Sequence, residues 1–267
     1  MDVPSTQVAI VGCGLAGCGV VTILKESFSK EPIAPAFLIA VDDNAEALNN
    51  TQADKKILVS DKLDTDIDLS RYAVVFFVLE PSETSSLTWA QVLSSLAMAK
   101  KVYSYGFLIK PSGGWPEDEK TVFGSFDGSA LVDEGWVFEA RKGKAADAEY
   151  AMRIVFNFTA HTLAFMAEAI RTGKLSQDAL LAATYGKVAG FAATSISQPE
   201  SLFLMTMSKI SREQIKSVIL FMPEDTDNMA ARRTFLYVSK GLPRSIEMIA
   251  LRIKYVEPFR IVALLAS

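Results

Sequence analysis

The residues best suited to chemistry stand near the start of the chain, in Gly12-Cys13-Gly14-Leu15-Ala16-Gly17-Cys18-Gly19. This segment joins a β-branched run at residues 7–11 to helical spacing over residues 15–25. Glycines at such a turn let backbone N–H groups approach a phosphate, and the following helix offers the positive end of its dipole. Gly12, Gly14 and Gly17 match a dinucleotide-binding fingerprint, and Asp42 stands where an acid that binds a ribose belongs. A helix packed tightly on a strand needs small residues as well, so the glycines have a structural reading beside the phosphate one. Cys13 and Cys18, the only cysteines, are too few for a zinc site and read as small residues packed in the turn. His161, the one histidine, falls among Phe158, Leu163 and Phe165 and reads as a core residue.

The elements that must position these residues alternate between strand and helix. Strands are expected at residues 37–41, 57–59, 72–79 and 102–109, with helices at 45–49 and 87–100. The run at 72–79 is almost wholly apolar, as suits a strand buried on both faces of a parallel sheet. The order predicts an α/β fold with a doubly wound parallel sheet. A further strand is expected at 136–140, then a long central helix over 145–171 that ends at Gly173. Beyond it the pattern predicts helices at 178–193, 199–209 and 228–240, and strands at 217–222, 246–254 and 260–266. These divide the chain into residues 1–144, a central helix over 145–172, and a smaller α/β domain over 173–267 with a sheet of its own.

Bulk composition excludes several classes. Half of the residues are hydrophobic, which rules out a disordered chain. No apolar run approaches the roughly 20 residues of a membrane-spanning helix. The first residues lack a basic stretch followed by an apolar one, so a cytoplasmic protein is expected. Net charge is −4 with no basic tail, which argues against nucleic acid as a partner.

Beyond the glycine loop, several stretches resemble the FtsZ/tubulin family. Ile39-Ala40-Val41-Asp42-Asp43-Asn44-Ala45-Glu46-Ala47-Leu48 is similar to that family's I-A-x-N-T-D-A-x-A-L, and Ala53-Asp54-Lys55-Lys56-Ile57 to its A-D-x-K-I. Ile109-Lys110-Pro111 looks like the family's T-K-P, and the ending Arg260-Ile261-Val262-Ala263-Leu264-Leu265-Ala266 like its R-V-T-V-I-A-T. The resemblance spans nearly the whole chain. It implies a tubulin/FtsZ-like nucleotide-binding fold in a prokaryotic protein, and GDP or GTP as the expected ligand.

The same comparison exposes three departures. Where the family cradles phosphates with G-G-G-T-G-T-G, this chain has Ser82-Glu83-Thr84-Ser85-Ser86-Leu87-Thr88, directly after Glu80-Pro81. No glycine remains, Pro81 has no N–H to donate, and two carboxylates face a would-be triphosphate. The family's glycine-rich γ-phosphate loop has no counterpart in residues 58–71. Its water-positioning loop N-x-D-x-x-D is matched by Ser176-Gln177-Asp178-Ala179-Leu180-Leu181, where only Asp178 survives and doubles as a plausible helix N-cap. Asn157 falls where the family reads guanine with an Asp, though Phe156 and Phe158 beside it suggest a turn facing the core.

These departures imply a pseudo-GTPase, with no catalytic residue, no metal and no required cofactor. Its role would lie in protein–protein contacts, as a scaffold, a filament component or a partner of a true FtsZ. Any residual nucleotide site would draw on Gly12, Cys13, Gly14, Gly17, Cys18, Asp42, Ser82, Thr84, Ser85 and Asn157, with Ser176, Asp178 and Leu181 as a degenerate catalytic loop. Two other readings stand beside it: a sensor that binds a mononucleotide weakly without turnover, and an NAD(P)-dependent enzyme. The last has Asp42 in its favour and no evident hydride-transfer residues.

Overall fold

The computed structural model describes residues 8–59, 67–110, 122–133, 147–186, 188–199, 215–240, 242, 245–254 and 261–266. The strand expected at 136–140 lies outside the described residues, as does the helix expected at 199–209 apart from Pro199.

Apolar runs bounded by turn residues become strands. They are β1 (Val8–Cys13), β2 (Phe37–Asp42), β3 (Lys55–Leu58), β4 (Val74–Leu79), β5 (Tyr103–Ile109) and β6 (Gly128–Val132). Helix α1 (Gly14–Phe28) joins β1 to β2, α2 (Ala45–Asn50) joins β2 to β3, and α3 (Thr84–Ala99) joins β4 to β5. All six strands pair in parallel, in the order β3-β2-β1-β4-β5-β6. Alternation along β4 shows why its sequence is apolar throughout. Val74, Phe76 and Val78 join one core layer with α1, while Val75, Phe77 and Leu79 join the opposite layer with Ala90, Leu93 and Ala97 of α3. A strand sandwiched between two helical layers has no face to give to water.

The long helix α4 (Ala148–Arg171) lies on the same side as α1. Asp147 caps its start by accepting the Glu149 N–H at 2.9 Å, and Gly173 follows its end with φ +70°. Every residue from 158 to 170 is buried. The hydroxyls of Thr159 and Thr162 survive there by donating to the carbonyls of Val155 and Phe158, each at 2.8 Å.

The second half of the chain departs from expectation twice. The helix predicted over 178–193 stops early, as α5 (Gln177–Thr184), and residues 188–195 form strand β7 (Val188–Ser195). Gly186, at φ +65°, makes the turn between them. Residues 189–194 are all buried, and a small-residue run buried on both faces carries no period that separates strand from helix. Strand β6 was also missed, because five residues opening on a glycine give too short a pattern to read. The remaining elements are β8 (Ser217–Pro223), α6 (Asn228–Lys240), β9 (Glu247–Ile253) and β10 (Ile261–Ala266), close to their predicted positions.

A separate second sheet was expected, but β7, β10, β8 and β9 extend the first sheet to ten strands. The junction is three residue pairs between β6 and β7, from Ser129↔Val188 to Leu131↔Gly190. Only β10 runs against the others. A smaller core cluster serves this end, with Val218, Leu220 and Met222 of β8 against Ala231 and Val238 of α6.

His161 sits in α4 at 1% exposure, as the sequence suggested. Burial first, and the Lys30 charge second, hold its imidazole at a pKa of about 4, well below the ordinary value. The unfolded chain therefore takes up a proton that the folded one refuses. Stability from this group is complete above pH 6.5 and is lost as pH falls from there toward 4. The loss at pH 5 is about 2 kcal/mol. Urea titrations at pH 7.5 and pH 5 are expected to show that much extra loss in the unmutated protein relative to His161→Gln. Equal losses in the two proteins would refute a neutral buried imidazole.

Candidate functional site

The strand order fixes where a ligand would bind. The chain leaves β1 for β2 on one side, while β4 lies on the other, so the loops after β1 and β4 frame a crevice at the topological switch point. The α1 N-terminus opens into this crevice. Its N-cap, Cys13, makes no side-chain bond and the first turn carries no acid. Free N–H groups and a positive dipole end are thus left without a local partner.

Glu83 supplies one from across the crevice. It is the N-cap of α3, yet its carboxylate does not cap its own helix. Its Oε2 lies directly over Gly14 at the start of α1, and Ser86 donates its hydroxyl to the same oxygen at 2.7 Å. Burial pushes the Glu83 carboxyl above the usual range, and the charges of Glu80 and Asp42 push the same way. The bond from Ser86 opposes them. A side-chain carboxylate thus lies over the glycine turn, against the start of α1.

The three fingerprint glycines are explained by contacts within the chain. A methyl on Gly17 would overlap the Val78 carbonyl, and one on Gly12 would overlap the Gly17 backbone. Helix α1 rests on β1 and β4 at a distance that only hydrogen allows. Gly14 has φ +68°, and a methyl there would overlap Glu83 Oε2 and Ser86 Oγ.

Asp42 is 7% exposed at the end of β2. Oδ1 accepts the Asn44 N–H at 2.8 Å, and the Cys18 thiol lies 3.9 Å from Oδ2. This is a turn anchor rather than a carboxylate held out to a ribose. Cys18 also approaches the carbonyls of Gly12 and Val41, each at 3.8 Å. Burial, then Asp42, pushes its thiol up to about 11, and burial holds the Cys13 thiol higher still. Neither offers a thiolate at neutral pH.

The other predicted positions are scattered in role. Ser82 donates to Glu80 Oε1 at 2.8 Å on the surface. Thr84, exposed, and Ser85, half-buried, open α3. The Asn157 amide donates to the Arg153 carbonyl of its own helix at 2.8 Å, while Phe156 lies beside Gly19. Ser176 caps α5 by accepting the Ala179 N–H at 3.1 Å, so the cap is two residues before Asp178, which stays exposed. Leu181 packs against the main core. Sequence reasoning missed the role of Ser86. Its spacing of three from an acid at a helix start was the available signal.

Chemically, the crevice is acidic. Residues 42–52 and 80–88 hold Asp42, Asp43, Glu46, Glu80 and Glu83 and no lysine or arginine. Among the described residues, no group of acid, cysteine and histidine side chains is arranged to hold a metal ion, and no helix is long and apolar enough to cross a membrane.

No protein-family profile matches the sequence, and no curated protein does. Solved structures do. An FtsZ W319Y mutant from M. jannaschii superposes at TM-score 0.74 with 17% identity, over 98% of this chain and 90% of that one. An empty FtsZ dimer from the same organism gives 0.71 at 16% identity, over 98% and 87%. CetZ2 from Haloferax volcanii, solved as a GTPγS-bound protofilament, gives 0.68 at 15%, over 97% and 92%. The fold is therefore that of FtsZ and CetZ.

The Gly14 geometry sets a cost for substitution. Gly14→Ala is expected to lose at least about 2 kcal/mol, from positive φ and the displaced Glu83 side chain together. Adding Glu83→Ala removes one clash, so the double variant should lose less than the sum of the single losses by urea denaturation. Strict additivity would show that Glu83 does not occupy the space above Gly14.

Proposed function

We propose that this chain is an FtsZ/tubulin-like protein that does not hydrolyse GTP and acts through protein–protein contacts. It serves as a scaffold or filament component, by self-association or beside an active relative. The observation that carries this reading is the Glu83 carboxylate at the α1 N-terminus. An anion belonging to the chain stands where a phosphate would make its first backbone contact, and Gly14 has no room for both. The surrounding acids strengthen the effect. Two like charges about 5 Å apart at an effective dielectric of about 20 repel by about 3 kcal/mol.

The water-positioning side supports the same reading. Leu181 is an apolar residue partly buried against the core where the resemblance calls for an acid, and Ser176 serves as a helix cap. Self-association has support in the related folds, which include an FtsZ dimer and a CetZ2 protofilament. CetZ2 and CetZ1 were solved with GTPγS and GDP, so a nucleotide is the natural rival occupant of the crevice.

Phosphate release from GTP is expected to stay at the buffer background across a range of protein concentrations. Leu181→Asp should not restore it, because the substituted residue enters a packed helix face and the phosphates still lack a cradle. Release that rises with protein concentration would overturn the proposal. Millimolar GDP is expected to leave the melting temperature unchanged. A ligand at 100 times its Kd adds about 2.7 kcal/mol of stability. A shift of several degrees, abolished by Gly14→Ala, would establish a mononucleotide sensor instead.

A further inference from the structure

Helix α6 is the one element among the described residues whose outer face is both apolar and uniformly cationic. Its inner stripe is built from Ala231, Thr234 and Val238, all buried. The outer stripe sets Met229, Leu236 and Tyr237 among Arg232, Arg233 and Lys240, and these six residues share a shallow depression of about 310 Å³. Met229 is 81% exposed and Leu236 46%, values far from those of a helix seated in a core. Arg233 and Lys240 each lie over the Tyr237 ring, at 5.6 and 5.9 Å from its centroid.

The charge distribution is lopsided. The helix carries three cations and no carboxylate, so a chain of net charge −4 bears −7 everywhere else. The acids just before the helix sit at its N-terminal end. Asp227 is spent on capping the N–H groups of Met229 and Ala230, both at 2.9 Å, and Glu224 pairs with Lys174 at 2.8 Å. An anionic plane would attract this face and repel the remainder, which fixes one orientation.

We infer that the outer face of α6 binds an anionic lipid surface. The apolar and cationic side chains alternate along one line, at spacings of three and four residues, rather than dividing into an apolar groove and a charged rim. A bilayer interface presents phosphates and acyl carbon side by side at every point. Methionine and leucine tips can enter it shallowly while arginine and lysine heads stay at the phosphates. A folded acidic protein would have to match this alternation residue by residue.

The test is flotation of the full chain with vesicles of phosphatidylglycerol and phosphatidylcholine in equal parts, against phosphatidylcholine alone. Binding to the anionic vesicles is expected to be at least tenfold stronger, and to be lost in 0.5 M NaCl. Arg232→Glu with Arg233→Glu should reduce it at least tenfold. Met229→Ser with Leu236→Ser, which keeps every charge, should weaken it severalfold. A second readout does not depend on those variants folding. Leu236→Cys carrying an environment-sensitive dye should shift its emission to the blue with anionic vesicles only, since Cys13 and Cys18 are buried and escape labelling. No preference for anionic vesicles, or an unchanged dye spectrum, overturns the inference. Charge-reversed protein that loses self-association while the unmutated chain ignores vesicles would assign the face to a protein contact instead.

Discussion

The fold rests on how closely α1 approaches the sheet. Gly12 and Gly17 let the first turn of the helix touch β1 and the Val78 carbonyl of β4 without an intervening side chain. That approach aligns the helix N-terminus with the switch point of the sheet, and it leaves no room for a side chain that could cap the helix from within. Cys13, the residue at the cap position, is turned into the core. An electrostatic demand follows directly: exposed N–H groups and a dipole end require an anion from elsewhere. Glu83 answers that demand from the loop after β4. Burial, with the charges of Glu80 and Asp42, raises its pKa above the ordinary carboxylate value.

How much of this was legible follows from which residues carry the information. The alternation of β-branched runs and helical spacing gave the parallel sheet correctly, because β4 and its neighbours are buried on both faces and read as unbroken apolar stretches. The same property defeated the reading of residues 188–195. Between a helix and a strand that are both fully buried, alanine-rich sequence holds no periodic difference, and only pairing with β6 and β10 decides the outcome. Strand pairing is a long-range fact. The continuity of the ten-stranded sheet was invisible for the same reason, since three residue pairs join its two parts.

At the site, residue types were legible and partnerships were not. The sequence placed Glu83 near the crevice as a charge that repels phosphate. It did not show the carboxylate lying over Gly14 on another helix, because that depends on the path of two loops far apart in the chain. Asp42 is the complementary case. Its position after β2 fits a ribose-binding acid, yet the turn at Asn44 and the thiol of Cys18 take up its oxygens. An acid at the end of a second strand has a structural duty whenever the chain must turn sharply there, and its position alone does not separate the two duties.

The glycine fingerprint follows the same logic one step further. Gly12 and Gly17 are demanded by helix–sheet contact, and Gly14 by positive φ and by the Glu83 and Ser86 side chains above it. Each demand would hold with or without a ligand. A phosphate cradle and a plugged turn therefore share their glycines, and what distinguishes them is the charge and reach of the loop opposite. In this chain that loop carries Glu83, which accepts the Ser86 hydroxyl at the start of α3, and it places a carboxylate over the turn. A fold organised by close packing at this point can keep its architecture whichever charge the opposite loop presents.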